Sequence, residues 1–304
     1  MSTLTSVFPL PAWAGSLVAV PPPGNRPGAW AGAPCAVRVA DQIFLAYRLR
    51  RPVGEGRGFA NVVASSSDGV RFATVAEVHK ERFGGESLER PALVVTPDGR
   101  WRLYVSVATP GTKHWRVDVL EAESPAGLVH ASARTVLPGD DTMAVKDPVI
   151  IFHEGGWHLW ASVHPLDSPE HTDRMSTWYA TSPDGLSWQW HGAVLAGRPG
   201  HWDARGVRVT SVLAVDGTAV ASYDGRASAA ENWEERTGLA YGAITGGRFG
   251  ALAADDAAPT SSPYAPHGLR YLSLVALPDG RQRIYYEATR ADGAHELRTE
   301  LVPG

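Results

Sequence analysis

Three prolines stand 57 residues apart, at Pro34, Pro91 and Pro148, and the residues just ahead of them are Gly32-Ala33, Glu89-Arg90 and Lys146-Asp147. Charged side chains that recur with such a period are brought together by any fold that repeats with it. Carboxylates set beside arginine and lysine in a partly desolvated cavity have displaced ionisation equilibria, which suits acid–base chemistry. Two later stretches extend the series. One is Trp202-Asp203-Ala204-Arg205-Gly206-Val207-Arg208, where the register stays open among Arg205, Val207 and Arg208; the other is Pro266-His267-Gly268-Leu269-Arg270. Asp224 and Glu287 are further carboxylates within reach of the same place, although Asp224, in Tyr-Asp-Gly-Arg, can equally make a turn, and Glu89 can pair with Arg90 at an edge.

The elements that must position these residues are β-strands. Turn signals occur at Ala40-Asp41, Asp98-Gly99, Gly155-Gly156, Asp216-Gly217 and Asp279-Gly280, and each joins two apolar runs. The strand after each turn reads IFLAYRL (43–49), WRLYVSV (101–107), WHLWASV (157–163), TAVASYD (218–224) and RIYYEAT (283–289), mixing aromatic and β-branched residues. A third strand follows in each unit, and twice it ends in nearly the same phrase, VVASSSDGVRF and WYATSPDGLSW. A fourth is legible at 73–79 and 191–197 and weak elsewhere. No helical period of useful length is present. Five such units predict an all-β chain: a single five-bladed β-propeller of mostly four-stranded blades, with residues 1–304 as one domain. A two-sheet sandwich does not predict one phrase five times over.

Composition narrows the function. A net charge of −4 and a pI near 6.3 give no electrostatic case for nucleic acid or an anionic membrane. Cys35 is the one cysteine, which excludes an internal disulfide framework and a cysteine-based zinc site. His153, His158 and His164 lack a compact metal-ligand spacing, so neither metal nor cofactor is expected. No run approaches a membrane span. The first 24 residues carry no Lys or Arg and are interrupted by Pro9 and Pro11, which predicts a cytoplasmic protein. The expected partner is a small-molecule substrate; the oligomeric state is left open.

The stretch Asp147-Pro148 through Phe152, Gly155-Gly156 and Leu159 resembles the five-bladed propeller glycosidases, namely family 43 arabinanases and xylosidases and the invertases. Its Lys-Asp start is similar to that of the mannosyl phosphorylases. Ser182-Pro183-Asp184-Gly185-Leu186-Ser187-Trp188 and the Pro266-His267-Gly268 segment with its following hairpin are similar to phrases in the same enzymes. The resemblance implies a general-base aspartate before the proline of blade one, where this chain has Ala33. It implies a general-acid glutamate in blade four, where it has Arg205, Val207 or Arg208. Of the expected carboxylates only Asp147 remains, in the role of tuning the acid or stabilising the transition state. In blade five the resemblance implies a channel histidine, His267, that helps hold a metal or a water, while Glu287 stands where a histidine is usual.

The candidate catalytic residues are therefore Asp147, Glu89 and Asp224. The candidate substrate-binding residues are Arg90, Lys146, Trp30, His164, Trp202, Asp203, Arg208, His267 and Glu287. Trp30, Trp202 and Trp233 can stack on a sugar face. The expected function is a carbohydrate-active, glycoside hydrolase-like enzyme, with phosphorolysis as a sub-case. The alternatives are a non-hydrolytic isomerase, cyclase or lyase on this scaffold, acting on a small metabolite of a biosynthetic pathway, and a propeller that only binds. Lys146 and Asp147, adjacent in a strand, should point to opposite faces, so Asp147 should be paired by Arg90 or Arg208 and stay ionised, leaving Glu89 or Asp224 as proton donor.

Overall fold

The computed structural model describes residues 8–304. The innermost strands of the five blades are Trp30–Val39, Leu88–Val95, Met143–His153, Gly206–Val215 and Leu269–Ala276. Each lies against the next, and the last returns to the first, closing a ring. The second strands, Gln42–Arg50, Trp101–Ala108, Gly156–Pro165, Thr218–Arg226 and Gln282–Thr289, pair antiparallel with them, and third strands follow on the outside. This is the predicted five-bladed propeller.

The hairpin turns sit where the sequence puts them, with one shift. In blade three the turn is Glu154-Gly155 rather than Gly155-Gly156, since His153 pairs with Gly156 and both central residues have positive φ, 45° and 81°. Asp216-Gly217 makes the same turn, at 48° and 75°.

Five apolar cores fill the wedges between neighbouring blades. One, for example, packs Tyr104, Val117 and Val119 of blade two against Val145, Leu159 and Trp157 of blade three. The repeated Ser-x-Asp-Gly phrase serves these wedges. Ser182 Oγ donates to Asp184 Oδ1 at 2.8 Å and accepts the Gly185 N–H, and Gly185 in turn offers its carbonyl to Tyr104 Oη of the preceding blade at 2.7 Å. Gly69 receives Tyr285 in the same way.

The fourth strand of blade five is Leu17–Val20, from the N-terminal side, which pairs with His295–Val302. The ring is thus closed by joining the two ends of the chain in one sheet, a pairing that no local pattern in those residues announces.

Candidate active site at the channel mouth

Every inner strand carries a β-bulge at the same height: between Gly32 and Cys35, Leu88 and Pro91, Lys146 and Val149, Val209 and Ser211, and Arg270 and Ser273. A bulge re-aims the residues that flank it. At three of them a non-glycine residue takes positive φ: Ala33 at 55°, Asp147 at 54° and Tyr271 at 58°. Proline after Ala33 and Asp147 removes a donor that the bulge leaves unpaired. The strained backbone turns these positions to one end of the channel.

Asp147 lies there fully buried. Its Oδ1 accepts the Arg90 backbone N–H at 3.2 Å, and its Oδ2 is approached by Tyr271 Oη at 3.3 Å and by Lys146 Nζ and Arg208 Nη1, each at 3.6 Å. Its own N–H donates to Ser106 Oγ at 2.9 Å. Burial works against its ionisation, but Lys146, then Arg208, outweigh it and hold the carboxyl below its ordinary value. Strand alternation does not separate Lys146 from Asp147, because the bulge at Asp147 breaks it and brings both to the same side. Arg90 meets Asp147 only through its backbone. Its guanidinium crosses the axis to the carbonyls of Pro34 at 3.2 Å and Thr210 at 2.5 Å, tying blade two to blades one and four. Arg208 is thus the guanidinium partner of Asp147.

Asp224, also fully buried, accepts Arg208 Nε at 3.1 Å, Thr237 Oγ1 at 2.9 Å and the Tyr271 N–H at 2.9 Å. Burial here exceeds the effect of Arg208, and the carboxyl is pushed up to about 6. Glu89 is ion-paired with Arg48 and lies 3.5 Å from Arg50. Glu287 accepts Arg270 at 2.7 Å, Arg48 at 3.0 Å, His295 at 2.8 Å and the Ala33 N–H at 2.9 Å. It fills the space beside Gly32, where any Cβ would strike it. Blade five thus sets a carboxylate against Gly32 and Ala33 of blade one, held ionised by Arg270 and Arg48 despite its burial.

Lys146 and His164 form the outer part of the cluster. Burial, offset in part by Asp147, pushes Lys146 down to about 8; its Nζ lies 4.9 Å from the Trp115 ring. His164 Nδ1 donates to the Thr172 carbonyl (2.8 Å) and its Nε2 faces Ser162 Oγ (3.2 Å), and burial, followed by Lys146, pushes it down to about 3. Trp115 and Thr172 also line a polar cleft of about 890 Å³ between the loops of blades two and three.

Trp30 is buried, stacked on His295 at 4.4 Å, with Arg50 4.1 Å above its ring. Three expected residues stay outside the cluster. Trp202 stacks on Tyr223 at 5.4 Å, and Asp203 binds Arg198 at 2.9 Å and Tyr223 Oη at 2.9 Å, so both serve the packing of blade four. His267 is exposed and turns into its own loop, to Ser262 O at 2.9 Å; the blade-five bulge presents Tyr271 instead.

Sequence reasoning passed over Arg48, Arg50, Arg226, Glu235, Arg270 and Tyr271 as site residues. Glu235 gathers three guanidiniums, Arg226 and Arg270 at 2.6 Å and Arg208 at 3.3 Å, and they hold it well below the ordinary range. The Tyr271 ring has Arg208 3.9 Å from its centroid. A signal was available: four second strands end in polar residues at alternate positions, Arg48 and Arg50, Ser162 and His164, Asp224 and Arg226, Glu287 and Thr289. The cation that the resemblance places near His267 does not fit, because the mouth at that level is occupied by Arg208, Arg270 and Tyr271. At its other end the channel opens into a cavity of about 380 Å³, lined mainly by apolar residues such as Val37, Val95, Ile151 and Leu213.

Fold and site together define a five-bladed β-propeller with a buried, arginine-rich mouth. Among solved structures, the chain is similar to a thermostable family-43 glycoside hydrolase, with a TM-score of 0.67 and 14% identity over 89% of this chain and 88% of the other. It is similar also to an α-L-arabinofuranosidase from Lactobacillus brevis (0.67, 13%, 89% and 90%) and a glycosyl hydrolase from Bacteroides ovatus (0.64, 15%, 96% and 95%). At these identities the likeness is one of fold. No protein-family model and no curated protein matches the chain.

Proposed function

We propose that the chain is a carbohydrate-active enzyme that protonates and cleaves or rearranges a glycoside or sugar-like small molecule at the channel mouth. The observation that carries this reading is the divergence of two buried carboxyls on one guanidinium. Asp147 is held ionised and Asp224 is pushed up to about 6, both on Arg208. Carboxyls driven apart in this way divide the roles of anion and acid. Asp224 is the proton donor to a leaving oxygen, and Asp147 is the fixed anion that stabilises positive charge developing on the ring. The glycosidase fold of the neighbours supports the substrate class.

A second reading, a non-hydrolytic lyase, isomerase or cyclase, has an observation in its favour. Glu89, Glu235 and Glu287 are all ion-paired with arginines, so none of these three is free to activate water. Lys146, pushed down to about 8, is the available base. Aryl glycosides incubated with wild type and Asp147→Asn, with and without phosphate, test the first reading. Proton NMR of the products separates hydrolysis and phosphorolysis from rearrangement. Turnover unchanged in Asp147→Asn removes that residue from the mechanism.

A further inference from the structure

Arg50 has no place in the chemistry above, yet it is 1% exposed, and its Nε and Nη1 have no hydrogen-bond partner among the described residues. Its nearest anion is Glu89 Oε1 at 3.5 Å, and Glu89 is already taken by Arg48. The guanidinium rests instead on two indoles, 4.1 Å from the centroid of Trp30 and 4.8 Å from that of Trp233. A buried donor without an acceptor is destabilising, and a buried cation without a counter-ion more so.

Arg50 is the least closely paired of the cations around it. Arg48, Arg50 and Arg270 all gather on the Trp30 ring, and Glu89 and Glu287 are the carboxylates between them. Arg270 also reaches Glu235, but that carboxylate is shared with Arg208 and Arg226. Of the three arginines on the Trp30 ring, Arg50 is the one whose contact with a carboxylate is long, 3.5 Å, while Arg48 and Arg270 each hold one at 3.0 Å or less. Burial, reinforced by Arg48 and Arg270, pushes Arg50 down to about 8, the response expected of a guanidinium short of an anion. On the outside stands Trp233, 40% exposed at φ 79°, in the loop between the second and third strands of blade four. It covers Arg50 and offers a flat apolar face to solvent.

We propose that Arg50 is the recognition site for the carboxylate of an acidic sugar, with Trp233 stacking on the sugar body. The Nε–H of Arg50, without a partner among the described residues, is one prong of the edge by which a guanidinium grips a carboxylate, and a bound carboxylate would give Arg50 a closer anion than Glu89 at 3.5 Å. This inference rests on reading the mouth as a ligand site and adds the substrate class: a uronic acid or similar monoanionic sugar in place of a neutral one. The same indole that shields Arg50 from water becomes the platform against which the ring is held.

Isothermal titration of the full chain with glucuronate and galacturonate, and with glucose and galactose as their neutral partners, tests it. At least one acid should bind about tenfold or more tightly than its neutral partner, and Arg50→Gln should remove that difference. Arg50→Lys, which keeps the charge and one donor group, should retain part of it; it also supplies the test if Arg50→Gln does not fold by circular dichroism. Acid and neutral sugars binding alike, or Arg50→Gln binding the acid as wild type does, overturns the proposal. Inorganic phosphate displacing the sugar acid with equal affinity overturns it as well, because the site is then one for any oxyanion. Asp147→Asn should leave acid binding within about threefold while lowering kcat roughly 100-fold or more, so failure of the chemical reading and failure of this one give different results.

Discussion

Asp147 and Asp224 are bound to the same arginine and the same tyrosine. Arg208 reaches Asp147 through Nη1 at 3.6 Å and Asp224 through Nε at 3.1 Å. Tyr271 reaches Asp147 through its hydroxyl at 3.3 Å and Asp224 through its backbone N–H at 2.9 Å. The two carboxyls nevertheless ionise differently, because Asp147 has Lys146 as an additional cation while Asp224 has the Glu235 charge working against it.

If Asp224 is the proton donor, turnover falls as pH rises through about 6, where the acid loses its proton. Asp224→Asn should erase that alkaline limb and slow substrates with poor leaving groups most. A pH–rate profile of wild type and variant on aryl glycosides of graded leaving-group acidity is the check; a profile flat from pH 5 to pH 7 contradicts the assignment.

Asp147→Asn should lower kcat roughly 100- to 1000-fold, the usual loss for a single electrostatic stabiliser, with a much smaller change in KM. The variant leaves Lys146 and Arg208 short of an anion, so circular dichroism must accompany the kinetics.

The network also sets stability against pH. Asp147, Glu235 and Glu287 have folded values below those of the unfolded chain, so their contribution is present above about pH 4 and is lost as pH falls through the lower folded values. Asp224 has the opposite sign: its folded value is raised, so its contribution declines as pH rises from about 4 to about 6. Thermal melts from pH 2 to pH 8 should show Tm dropping steeply in acid, and Asp224→Asn should flatten the decline between pH 4 and 6 relative to wild type.

Glu235→Gln removes the one carboxylate on which Arg208, Arg226 and Arg270 converge. Breaking a buried ion network from one side destabilises by about 3–5 kcal/mol. Urea unfolding should show a matching fall in the midpoint at unchanged slope; a loss below about 1 kcal/mol would show that water already reaches this part of the mouth.

Gly32→Ala places a methyl group against the Glu287 carboxylate. Glu287 must then leave Arg48, Arg270 and His295, and a folded but destabilised protein with an altered mouth is expected. Comparing its Tm with that of Glu287→Gln shows whether the two changes act through one contact: a double variant no worse than either single one is the expected result.

The blade count was legible in the sequence because a propeller repeats. Matched turns about sixty residues apart force like segments to like places, and the alternation of each strand assigns its buried faces. The same periodicity places Glu89, Arg90, Lys146 and Asp147 at one end of the channel, and leaves Arg208 as one of three candidates in blade four. It could not say which way each would face, because the bulge that places Lys146 beside Asp147 is a one-residue irregularity with no fixed sequence signature. Nor could it separate Asp203 from Asp224: both are buried aspartates of blade four, and only packing puts the first on Arg198 and the second on Arg208. His267 was misplaced for a related reason, since its loop leaves it exposed ahead of the inner strand and the bulge then presents Tyr271. By itself the sequence determined the repeat, the strands and the height at which charge collects. The tertiary structure alone decided the partners, because ion pairs between blades join residues such as Arg48 and Glu287, 239 positions apart, whose meeting depends on closing the ring.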